Sequence, residues 1–146
     1  MTKTTRTLNH LVEALNDGVE FHELAAKETN QPAYRDLFLN QARVKKAIAA
    51  DLKAEVARLG DTPDADGTWL GGIREGYAKL KSKMVKDADA AWIASIEEQE
   101  DRVLEAFRDA AEADQPAPVR TLATRYLADV KQMHDQMRDL KRAKAA

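Results

Sequence analysis

The sequence predicts an all-α protein: four long amphipathic helices packed as a bundle, with a short crossover helix between the second and the third. Three observations predict it. Apolar residues recur at three- and four-residue spacing through most of the chain. Good helix formers dominate, with only four prolines and six glycines among 146 residues. Several of those breakers stand where one apolar stripe ends and the next begins. A chain of this length buries a core of its own without disulfides or a structural metal, so one domain over residues 1–146 is expected.

Helix 1 is expected over about residues 5 to 29, on the stripe Leu8, Leu11, Val12, Leu15, Val19 and Ala26, until Asn30-Gln31-Pro32 stops it. Pro32 is placed to open helix 2, which carries Tyr34, Leu37, Phe38, Val44, Ile48, Leu52, Val56 and Leu59 and ends before Gly60. So short a junction folds the two helices back on each other as an antiparallel hairpin. The aspartate-rich break from Asp61 to Thr68 is too short to link domains. A shorter stripe, Leu70, Ile73, Tyr77, Leu80 and Met84, then reads as the crossover helix. Asp87 or Asp89 caps helix 3, which carries Trp92, Ile93, Ile96, Val103, Leu104 and Phe107 up to the break Gln115-Pro116-Ala117-Pro118. Helix 4 carries Val119, Leu122, Tyr126, Val130, Met133, Met137 and Leu140 into a basic tail suited to a helix C-terminus. Four helices with one crossover are the layout of ferritin-like bundles; a simple up-down bundle keeps the same core residues.

Composition narrows the function. With 23 basic and 25 acidic residues the net charge is -2, which supplies no field for nucleic acid. The absence of cysteine excludes thiolate catalysis and Cys-ligated metals, leaving His and carboxylates as ligands. No apolar leader and no run of ~20 apolar residues is present, so a cytoplasmic protein without a membrane partner is expected. The glycines of Gly71-Gly72-Ile73-Arg74-Glu75-Gly76 follow no predicted strand, so they read as packing and not as a phosphate loop.

Four polar residues fall on the apolar stripes: His22, Gln41, Glu100 and His134, one from each long helix. In the crossover topology their depths agree to about one helical turn, and Glu20, Glu23 and Glu97 lie a step away. Two readings follow. Carboxylates and imidazoles from facing helices can hold a metal, with Glu100 and His134 first, His22 or Glu23 completing the site, and iron or manganese as the ion. Alternatively the same groups, with the Tyr126 hydroxyl, close a hydrogen-bond network that sets helix register and binds nothing.

The strings LNHLVEALNDGVEFHELAAKE, DLKAEVARLG and IEEQEDRVLEAF, with the DG-containing turn and the late MHDQM, resemble a bacterial four-helix-bundle family of the ferritin-like superfamily, a domain of unknown function. The resemblance covers nearly the whole chain and implies the fold; it implies no reaction. Ferritin-like di-iron proteins place a Glu on each of two helices and Glu-x-x-His on the other two. Here helix 2 offers Gln41 and Val44, and helix 4 offers Lys131 three residues before His134, so a complete di-iron centre is not expected. The favoured reading is a non-catalytic, structural or stress-associated bundle, acting as a homo-oligomer or through a protein partner. The alternative is an iron- or manganese-binding bundle with a degenerate site.

Overall fold

A computed structural model describes residues 2–63 and 87–145. Four α-helices account for nearly all of them: α1 Lys3–Glu28, α2 Pro32–Arg58, α3 Ala88–Ala110 and α4 Ala117–Ala145. The crossover helix expected from Leu70 to Met84 lies outside the described residues. No described helix is long and apolar enough to cross a membrane.

The helix ends follow from the local sequence. The Thr2 side chain accepts from Thr5 N–H and starts α1 slightly earlier than the apolar stripe alone requires. At the other end of α1, Arg35 donates to the carbonyl of Thr29 at 2.8 Å and to that of Ala26 at 3.2 Å, placing a cation on the negative end of the helix. Pro32 opens α2, and Gly60, at φ 86°, ends it in the left-handed conformation that a β-carbon disfavours. Of the two candidate caps for α3 it is Asp87 that accepts from Ala90 N–H, at 3.0 Å, while Asp89 sits in the first turn and accepts from Thr29 Oγ1 at 2.7 Å.

These contacts fix the topology. Asn9 near the start of α1 donates to the carbonyl of Thr62 beyond α2, so α1 and α2 are antiparallel. Thr29 after α1 meets Asp89 at the start of α3, and Lys144 at the end of α4 meets Asp87 at 3.1 Å. Thus α1 and α4 run one way and α2 and α3 the other. The chain leaves α2 at one end of the bundle and re-enters α3 at the opposite end, the connectivity that distinguishes a crossover bundle from an up-down one.

The apolar interior comes in two parts. One is built on Leu8, Leu11, Leu15, Leu52, Phe107 and Val130; the other, nearer the α1–α2 turn, on Ala25, Phe38, Trp92, Ile93, Ile96 and Met137. Along every helix the boundary falls at the same level: at His22 in α1, at Gln41 and Lys45 in α2, at Glu100 in α3, and between Met133 and Met137 in α4. A polar layer divides the core.

Candidate functional site

The layer is built around a lysine. Lys45 has no exposed surface, and its Nζ contacts Glu100 Oε1 in a short ion pair while lying 2.8 Å from His22 Nε2. His22 Nε2 is in turn 3.0 Å from the same Glu100 oxygen, so three residues from three helices meet at one point. Glu100 is wholly buried and His22 nearly so. Burial drags the Lys45 ammonium down to about 7. Burial, and then the Lys45 charge, hold the His22 imidazole well below its usual range, so it serves the pair as a neutral partner.

Room for the lysine comes from α1. A β-carbon added at Gly18 would stand 2.9 Å from Lys45 Nζ and 3.2 Å from its Cδ, so the lysine passes across the bare backbone of that glycine. Gly18 was the available signal for Lys45 in the sequence. A glycine in the middle of a strong helix is unfavourable by about 1 kcal/mol and marks a close approach. The α2 stripe is in fact Phe38, Ala42, Lys45, Ile48, Ala49, Leu52 and Val56; Val44 is only partly buried and Leu59 is exposed. Lysine is so seldom fully buried without a partner that its position on this stripe is hidden by residue type.

The other expected members are elsewhere. Gln41 is buried one turn from Lys45 and donates to Gln136 Oε1 at 3.0 Å. Tyr126 does not join the layer: its partly buried ring packs against the apolar core and its hydroxyl donates to Asp51 at the α2–α4 edge. Glu23 faces outward and pairs with Lys46 at 3.2 Å. His134 turns to the α3–α4 surface, with Nδ1 3.0 Å from Asp135 Oδ1 and Nε2 against Asp101 Oδ1. There Glu97, Asp101 and His134 bring one ligand atom each within 4.8 Å of one another. The structure therefore brings His22 and Glu100 together and leaves His134 and Glu23 apart from them.

A second buried acid was not apparent from the sequence. Asp17, on the turn of α1 beside Gly18, is nearly enclosed, and burial, then the charges of Glu13 and Glu20, push its carboxyl up to about 7.

The interior layer does not fit the metal centre of a di-iron bundle. Such a centre needs carboxylates and imidazole lone pairs converging on an open point. Here Glu100 Oε1 and His22 Nε2 both converge on an ammonium, which a dication would have to displace. The grooves lined by Asp51, Arg58, Pro118 and Arg125, by Val44, Ala47 and Tyr126, and by Leu104, Arg108, Lys131 and His134 run along the outside, and none of the three network residues lines them.

Among solved structures the chain is similar to a mutant of Mycobacterium smegmatis Dps1, with a TM-score of 0.74 and 16% identity over 97% of this chain and 99% of that one. The fold is thus that of a ferritin-like bundle. No curated protein matches the chain. The family model described as domain of unknown function DUF2383 matches residues 3–113, and the chain belongs to that family.

Proposed function

We propose that the protein is a non-catalytic ferritin-like bundle that acts in the cytoplasm by self-association or by docking a protein partner, its buried polar layer serving to fix helix register. The observation that carries this reading is the position of Lys45 Nζ between Glu100 and His22. A core built for redox or hydrolytic chemistry needs an open coordination position and a route for substrate. This core offers its carboxylate and imidazole to an internal cation instead. A buried ion pair drawn from two helices also penalises slipped pairings of the helices, because any slip strands a buried charge in hydrocarbon.

Sedimentation velocity on the full chain from about 1 to 100 µM tests the reading, since self-association makes the species distribution depend on concentration or yields one stable oligomer. Oxygen uptake is followed alongside after Fe(II) addition. The expected result is an oligomer with no oxygen consumption beyond that of free Fe(II). A strict monomer would remove self-association, and catalytic Fe(II) oxidation would contradict the non-catalytic reading. The second reading, an iron- or manganese-binding bundle, draws its support from the α3–α4 surface where Glu97, Asp101 and His134 converge.

A further inference from the structure

We infer that Glu97, Asp101 and His134 form a site for one divalent first-row transition ion on the outer face of α3 and α4, with Asp135 as the group that orients the histidine. This rests on the second reading above and gives it a ligand set distinct from the buried layer.

The placement follows from helix geometry. Glu97 and Asp101 are four residues apart and share a face of α3, while the turn that points Glu100 into the core swings Asp101 outward by about 100°. His134 lies across from them on α4. The three ligand atoms lie within 4.8 Å of one another, with His134 Nε2 2.5 Å from Asp101 Oδ1; an ion bonded at about 2.0–2.2 Å to each sets them about 3.4 Å apart, so the Nε2–Asp101 contact must open to admit it. A half-buried Glu97 and a His134 side chain only 14% exposed form the inner part of the site, and Asp101, 54% exposed, its solvent side.

The orientation of the imidazole is the independent feature. Metal-bound histidines characteristically donate the other ring N–H to a carboxylate, which fixes the tautomer and aims the free lone pair at the ion. His134 Nδ1 lies 3.0 Å from Asp135 Oδ1, and Asp135 is itself held by Lys131 at 2.7 Å and by Arg138 at 3.3 Å. Nε2 is then directed at Asp101 and toward Glu97, whose Oε2 is steadied by Lys141 at 3.3 Å. One imidazole nitrogen and two carboxylates suit Zn(II), Mn(II) and Fe(II) more than Mg(II) or a soft ion. The adjoining groove, which also carries Arg108, Lys131 and Arg138, leaves the remaining coordination positions to water or a small anion.

Calorimetric titration of the full chain with Zn(II) and then Mn(II) tests the site. The expected result is one ion per chain, with affinity lost by about tenfold or more in Asp101→Asn, His134→Gln and Asp135→Asn, and unchanged in His10→Gln, the exposed histidine elsewhere on α1. Circular dichroism on each variant separates a lost ligand from a lost fold, and Asp101, being exposed, is the variant expected to leave the fold intact. Saturable binding that survives both Asp101→Asn and His134→Gln overturns the site while leaving a metal-binding reading alive; no saturable binding overturns both.

Discussion

At the scale of single residues, the unusual chemistry lies where Lys45 crosses α1. An alanine in place of a mid-helix glycine ordinarily stabilises by about 1 kcal/mol. At Gly18 the new methyl group meets the lysine tail, so Gly18→Ala is expected to destabilise the protein. Placed in a Lys45→Ala background, the same change should recover its ordinary stabilising sign. Urea unfolding of the four chains checks this, and a stabilising Gly18→Ala in the parent sequence would contradict the close approach.

Two buried groups beside this crossing give opposite pH responses. The folded-state pKa of His22 is depressed, so its contribution to stability is present above about 6.5 and is lost as the pH falls below that value. Asp17 is raised from 3.8 to about 7, so the stability linked to its proton is full below about 3.8 and is lost as the pH rises through 7. Asp17→Asn should therefore be more stable than the parent at pH 8, equal to it near pH 3.8, and should leave the acid-side loss from His22 uncovered. The slopes are on the order of 1 kcal/mol per pH unit per proton. Urea midpoints at pH 4, 6 and 8 read them.

At the scale of helices, most boundaries were legible because each has a local chemical cause. Pro32 and Gly60 mark the two ends of α2, and Asp87 the start of α3, by backbone restriction or side-chain capping that needs no tertiary context. Gly60 gives a clean test: its φ is 86° and nothing lies within 4 Å of where a β-carbon would go, so Gly60→Ala carries a conformational penalty alone, about 1 kcal/mol. Chemical denaturation should show that loss with an unchanged m value; a neutral substitution would mean the turn relaxes freely. What was not legible was helix phase at the polar layer. The apolar period located His22 and Glu100 correctly, but Val44 and Lys45 are adjacent, and hydrophobicity alone favours the valine for the interior. On α4 the core residues Val130, Met133 and Met137 leave His134 at the margin of the stripe, where Asp101 and Asp135 hold it at the surface.

At the scale of the whole molecule, the crossover topology follows from where helix ends meet, and it is the topology that puts His22, Lys45 and Glu100 at one depth. In an up-down arrangement Glu100 would lie at a different level and Lys45 would be a buried charge without its acid. Fold and polar layer are therefore consistent with each other in a way that no single helix reveals. Ferritin-like architecture hosts many activities, so the function must be argued from its sites. Here the interior carries its own cation, and the carboxylate–histidine cluster open to solvent lies one helical face away.

The central claim is that the buried layer is a Lys45–Glu100 ion pair with a neutral imidazole partner. A double-mutant cycle on Lys45→Met and Glu100→Leu, read by urea unfolding, tests it most directly. Removing one member of a buried pair costs about 3–5 kcal/mol, whereas replacing both by apolar groups of similar volume is close to neutral. Lys45→Met is expected to cost about that much, because it strands the Glu100 carboxylate. Glu100→Leu should cost less, since Lys45, already pulled down to about 7, can shed its proton. The double variant should recover most of the Lys45→Met loss and remain below the parent by about 1–3 kcal/mol, the cost of leaving the His22 imidazole buried without its two partners. A Lys45→Met protein as stable as the parent, or a double variant losing the sum of the two single costs, would contradict the account.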